Sequence, residues 1–97
     1  MKESDLIKSI ITYLRTLPGC FCWKEHGGMY GTAGIPDIIC CLHGRFIAFE
    51  AKVPGNRPTR LQESTIEKIR AAGGTAVVVY SLDDVRRTVS EAIGGEA

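Results

Sequence analysis

The stretch Gly34 to Lys52, GIPDIICCLHGRFIAFEAK, constrains this chain more than any other. Ile, Phe and Cys crowd two short runs, Asp37 to Leu42 and Arg45 to Val53. His43-Gly44 lies between them as a tight-turn pair, so the stretch predicts a β-hairpin. Side chains alternate faces along a strand. Phe46, Ala48, Glu50 and Lys52 therefore share one face of the second run, and Asp37, Ile39 and Cys41 share one face of the first. With Leu42 opposite Arg45 at the turn, counting back along both runs sets Asp37 opposite Glu50.

Directly paired residues hold their Cβ atoms about 4.5–5.5 Å apart. Two ionised carboxylates at about 5 Å repel by roughly 3 kcal/mol at an effective dielectric near 20. Stability alone does not select such a pair. A cation between them converts the repulsion into binding, and Lys52, one pleat along, adds positive charge. Oxygen donors of this kind suit a hard divalent ion such as Mg²⁺.

At 97 residues the chain predicts a single domain, 1–97, with room for a real core. A net charge of +1 gives no global signal for nucleic acid, so that partner has to be argued from local charge. No apolar run approaches the ~20 residues that span a bilayer. The start, MKESDLIKSI, carries acids where a secretory leader is basic and then apolar, so a cytoplasmic location is expected. The four cysteines fall as Cys20-x-Cys22 and Cys40-Cys41. Neighbours on a strand point to opposite faces, and no zinc-type spacing is present, so zinc is set aside. The cysteines read as small buried apolar residues.

Leu6, Ile7, Ile10, Ile11, Leu14 and Leu17 recur at helical spacing, which predicts a helix over 3–17 that ends at Pro18-Gly19. Glu3 falls on the inward side of its first turn. It is open between complementing the helix dipole and serving as a third acid at the metal site. Cys20 to Glu25 predicts a strand with Phe21 and Trp23 on one face. HGGMYGTAG, residues 26–34, lacks the P-loop pattern. It reads either as a plain connection or as a flap touching a bound polymer through Met29 and Tyr30, and His26 reads as a surface residue.

AKVPGNRPTR, residues 51–60, holds Lys52, Arg57 and Arg60 and no acid, at the mouth of an acidic pair. Arg and Lys meet phosphodiester backbones in this way, although loop charge can also be merely solvated. Thr59 to Ala72 predicts a second helix with Leu61, Thr65, Ile69 and Ala72 along one side. Thr59 and Gln62 form a capping box, which is a complete structural role for Gln62. TAVVVY, residues 75–80, predicts a buried strand. Ser81 caps a last helix over 82–93, and Gly94 to Ala97 is expected to fray. The second helix is a crossover, so the last strand should run parallel to its predecessor.

At Pro36-Asp37 and Glu50-x-Lys52 the chain resembles the PD-(D/E)XK nuclease superfamily, and more narrowly its VRR-NUC family. The resemblance is carried by Glu3 on the first helix, G-I-P-D, the apolar hairpin, E-A-K, the basic loop, P-T-x-x-Q and A-A-G-G before a Val-rich strand. It implies an α/β, restriction-endonuclease-like αβββαβ core: a mixed central sheet flanked by helices, plus a C-terminal helix. It also implies Mg²⁺- or Mn²⁺-dependent hydrolysis of DNA. Asp37, Glu50 and the Ala51 backbone carbonyl would hold the metal, and Lys52 would orient or activate the attacking water. Glu3 would be the helix-borne acid and Gln62 an accessory residue, with Arg57, Arg60, Tyr30 and Lys24 as DNA contacts. The family's small members imply a homodimer acting on branched DNA such as four-way junctions. Against this stand an exonuclease or nicking enzyme on the same fold, a non-cleaving nucleic-acid-binding module, and an accessory protein of a replication or phage assembly.

Overall fold

The computed structural model describes residues 1–26 and 32–94. Seven elements follow in order: α1 (Glu3–Leu14), β1 (Cys20–Lys24), β2 (Ile38–Leu42), β3 (Arg45–Ala51), α2 (Arg60–Ala71), β4 (Thr75–Val79) and α3 (Leu82–Gly94). The strands form one sheet in the order β1-β2-β3-β4. The first three are antiparallel and β4 is parallel to β3, as a crossover through α2 requires. The mixed α/β architecture is the one expected.

The hairpin turn pins the register. His43 and Gly44 both take positive φ, 50° and 80°, the backbone twist that suits a two-residue hairpin. The ladder runs from Leu42 opposite Arg45 to Ile38 opposite Phe49. His43 is also docked from outside: its N–H donates to the Gly19 carbonyl at 2.9 Å. A Cβ on Gly19 would meet the His43 ring at 2.6 Å, which keeps a side chain out of that contact.

The two faces of the sheet are covered differently. Over one face, α1 and α3 supply Leu6, Ile10, Leu14, Val85 and Val89, packed on Ile38, Leu42, Ile47, Phe49 and Val79. Over the other, α2 packs Ile66 on Ile39, Ala48 and Ala76, with Ile35 and Ile69 at the margin.

Several element boundaries and one helix face differ from expectation. The first helix ends at Leu14, because the Thr16 and Leu17 N–H groups bond three residues back to Tyr13 and Leu14 and Pro18 disfavours helical backbone before it. Leu17 still packs on the core. Strand β1 stops at Lys24, β3 stops at Ala51, and β4 stops at Val79 with Tyr80 beyond it. β4 is an edge strand, so Val77 and Val78 are only half-buried. In α2 the buried residues are Thr65 and Ile66 while Leu61 and Ala72 are exposed, because the helix rests on a narrow strip of small residues, Ala48 and Ala76. Cys41 is exposed, on the part of the hairpin that α2 leaves uncovered. The last helix includes Gly94, and residues 95–97 lie outside the described residues. Ser81 caps α3 as expected, its hydroxyl accepting from the Asp84 N–H at 3.2 Å.

Candidate active site

The site forms at the end of the sheet where β3 runs out. Glu50 is the penultimate residue of β3 and points to the α2 face; only 1% of it is exposed. Lys52 follows just past the strand, where its N–H still bonds the Val79 carbonyl at 3.0 Å and so continues the pairing with β4. The alternation is preserved, and the Lys52 ammonium comes to 3.6 Å from Glu50 Oε2.

Asp37 does not belong to β2, which starts at Ile38. It follows Pro36, which has no N–H to give a ladder. Asp37 supplies acceptors at this strand end: its Oδ2 accepts the Ala51 N–H at 3.0 Å, and its carbonyl accepts the Glu25 N–H at 2.7 Å. The register carries past the strand end, and Asp37 lies across from the end of β3. In an extended strand the N–H and C=O of one residue face the same side. The Ala51 carbonyl accordingly opens toward the Asp37 side of β3.

The third acid comes from the other layer. Glu3 opens α1, and its carboxylate is 3.8 Å from the Lys52 ammonium. Glu3, Asp37 and Glu50 each offer a carboxylate oxygen within 4.8 Å of the others. Asp5, two residues on, accepts the Lys2 N–H at 3.3 Å and serves the helix end. The two acids of this first turn thus make different contacts, Asp5 with the helix end and Glu3 with Lys52.

Gln62 does two things with one amide. Its oxygen accepts the Thr59 N–H at 2.8 Å while its own N–H reaches Thr59 Oγ1 at 3.1 Å, completing the capping box. Its Nε2 donates to Glu50 Oε2 at 3.3 Å. The cap and the acid are held by the same side chain, a link that the capping pattern alone conceals.

The electrostatics are those of crowded, partly buried acids. Burial pushes the Glu50 carboxyl up to about 8, with the nearby Asp37 carboxylate adding through charge and hydrogen bonding and Glu3 adding less; Lys52 opposes them. Oε1 of Glu50 is buried and has no hydrogen-bond partner among the described residues. The Lys52 ammonium pairs with two of the three acids, Glu50 and Glu3.

The remaining expected residues are less closely tied to this centre. Arg57 and Arg60 are exposed, on the segment between Lys52 and Gln62, with no ion pair among the described residues. Tyr80 was missed by sequence reasoning: its hydroxyl donates to the Asn56 carbonyl at 3.2 Å and moors that basic loop. Lys24 is exposed at the end of β1, and His26 is exposed as expected. Tyr30 and Met29 lie outside the described residues. A cavity of about 550 Å³ opens at the opposite end of β3, lined by Gly44, Phe46, Gly74, Thr75 and Glu91 among others. It brings only one acid, Glu91, whereas the carboxylate cluster brings three.

The sequence matches no model of a known protein family and no curated protein. Two solved structures are similar in fold. One, described as a "VRR_NUC domain", superposes with a TM-score of 0.76 at 24% identity, covering 91% of this chain and 94% of that one. The other, a "VRR_NUC domain protein", gives 0.77 at 20% identity, covering 97% and 89%. The sheet order, the crossover through α2 and the flanking helices are thus shared over nearly the whole chain, and its fold is that of the VRR_NUC domains.

Proposed function

We propose that this chain is a metal-dependent DNA endonuclease that hydrolyses phosphodiester bonds. The observation that carries the reading is the convergence of Glu3, Asp37 and Glu50 on one another, with the Lys52 ammonium beside Glu3 and Glu50 and one buried oxygen of Glu50 without a partner among the described residues. Three carboxylates and a backbone carbonyl are a hard, all-oxygen donor set, which fits Mg²⁺ or Mn²⁺.

Asp37, Glu50 and the Ala51 carbonyl would hold the ion, and Glu3 would complete the acidic wall. A bound divalent ion acidifies its water and stabilises charge developing on phosphate. Lys52, held between two carboxylates, is positioned to donate a hydrogen bond to the attacking water or to a phosphate oxygen. Gln62 keeps Glu50 Oε2 engaged, which leaves Oε1 for the ion. Water adds to phosphorus and one P–O ester bond breaks. Arg57, Arg60 and Lys24 are the candidate backbone contacts, joined by Tyr30 on the resemblance alone.

The finer reading follows the resemblance to the VRR-NUC nucleases: branched DNA such as four-way junctions as substrate, and work in replication, recombination or repair in the cytoplasm. Cutting both strands needs two sites, and one chain supplies one, so the enzyme acts as a homodimer. The test is incubation of labelled duplex, flap and four-way-junction DNA with Mg²⁺, Mn²⁺ or a chelator, using wild type and Lys52→Ala. Metal-dependent cleavage that the substitution removes supports the assignment. Cleavage equal in both proteins overturns it, and binding without cleavage in any metal favours a non-cleaving module.

A further inference from the structure

Two rings on the acidic face of the sheet have no role in the core. Phe21 is 69% exposed and Trp23 41% exposed. They sit two residues apart on β1 with ring centroids 5.7 Å apart, tilted at 46°. The strand register fixes where they lie. Trp23 is paired with Ile39, which is paired with Ala48, a residue of the α2 face. Phe21 is paired with Cys41, and Cys41 with Phe46. Asp37 is two residues before Ile39 and Glu50 two after Ala48, so the Trp23 row is one pleat from the acids, on the same face. A pleat is about 7 Å along a strand.

The indole is also held in place. Trp23 Nε1 donates to Glu25 Oε2 at 3.0 Å, and the Glu25 N–H donates to the Asp37 carbonyl. An aromatic ring is thereby tied, through one residue, to the strand end that carries a candidate metal ligand. Lys24, the next residue on β1, turns to the other face, but the exposed Arg57 and Arg60 lie on the segment leading into α2, the helix that packs on this same face. An anionic chain with flat apolar groups matches both the charge and the rings.

A second copy of the chain is the other natural cover for apolar rings at a sheet edge, but the patch is too small for that. Phe21, Trp23, Cys41 and the 44%-exposed Phe46 together present on the order of 300–400 Å². A stable interface takes about 800 Å² from each partner. Stacking on bases needs no such area, since every base offers a flat face.

We propose that Phe21 and Trp23 form a stacking platform for unpaired nucleotides next to the scissile phosphate, so that among branched DNAs those with unpaired nucleotides at the cleavage point are preferred. Its location beside a scissile phosphate rests on the nuclease reading; the binding itself does not. Duplex DNA keeps its bases stacked on one another and offers the rings little, whereas frayed or tailed DNA offers them directly.

Trp23 is the chain's sole tryptophan, so its own emission reports occupancy. In a chelator, where no cutting occurs, the protein is titrated with oligo-dT, with a blunt duplex and with the same duplex carrying a single-stranded tail. Saturable quenching by oligo-dT and by the tailed duplex, and much less by the blunt one, is the expected result. By fluorescence anisotropy of labelled oligo-dT, Phe21→Ala and Trp23→Ala each weaken binding about 5- to 100-fold, and Trp23→Phe recovers most of the loss. Phe21→Ala leaves the melting temperature in place, since the ring packs on little. Emission indifferent to every oligonucleotide, or unchanged affinity in both alanine variants, overturns the proposal. Emission that shifts with protein concentration in the absence of DNA also overturns it, because a second copy then covers the rings. If Mg²⁺ produces no cleavage yet the quenching and the Phe21 effect persist, the platform stands and the nuclease reading fails. If wild type cuts and Phe21→Ala cuts tailed and blunt DNA as wild type does, the platform alone fails.

Discussion

The two faces of the sheet are built from the same four strands and carry opposite burdens. Beneath α1 and α3 the face is closed and apolar, with Ile10, Leu14, Ile38, Ile47 and Phe49 all fully buried. Beneath α2 the face is half-covered: a small cluster of Ile39, Ala48, Ile66 and Ala76, then carboxylates at one end and exposed rings on the edge. A residue's value therefore depends on which way the pleat turns it. Phe49 and Glu50 are neighbours in sequence and equally hidden, yet burial stabilises the fold through the ring and opposes ionisation of the carboxyl.

That contrast predicts that the two faces break in different ways. Lys52→Ala should lower DNA cleavage by about 10²- to 10⁴-fold with the fold intact, as read by initial rates and circular dichroism. Phe49→Ala, on the closed face, should cost about 3–5 kcal/mol in urea unfolding. Loss of cleavage there should track the unfolded fraction and nothing more.

Glu50 sharpens the comparison through pH. Its folded-state pKa is raised to about 8, above the ordinary carboxyl value it takes when unfolded. The folded chain therefore holds the extra proton between the two values. Metal-free stability is full below the ordinary carboxyl range and declines as pH rises through about 8. Glu50→Gln should flatten that decline in melting scans made in a chelator, whereas Phe49→Ala should lower the whole curve without changing its slope. Smallest is Thr59→Ala, which removes the cap of α2 and should cost about 1 kcal/mol. The Gln62 side chain keeps its bonds to the Thr59 backbone N–H and to Glu50 in that variant, so cleavage should change little.

How much of this was legible in the residues differed by element. The hairpin register could be read because His43-Gly44 leaves one way to close the turn, and every further pairing follows from it. The meeting of Asp37, Glu50 and Lys52 was legible for the same reason. Asp37 itself was misread as a strand residue, since nothing in the pattern says that a side chain after Pro36 will take a backbone's hydrogen bond. The buried side of α2 was legible in part: Thr65 is buried and Ile69 packs on the sheet cluster, whereas Leu61 and Ala72, apolar enough to mimic a core stripe, are exposed. Glu3 was left open, because its carboxylate reaches the site across layers and periodicity says nothing of that distance. The double bonding of Gln62 was hidden for a different reason: the capping box already accounted for it.

The central claim is that three acids from two layers converge on one divalent cation, and Mn²⁺ binding tests it most directly. Titration of the wild-type chain, followed by the loss of free-ion signal, should show saturable uptake. Asp37→Asn and Glu50→Gln should each weaken that uptake by more than the about 10- to 100-fold that loss of a supporting group costs. Equal affinity in wild type and both variants, or no uptake by any of them, would contradict the account.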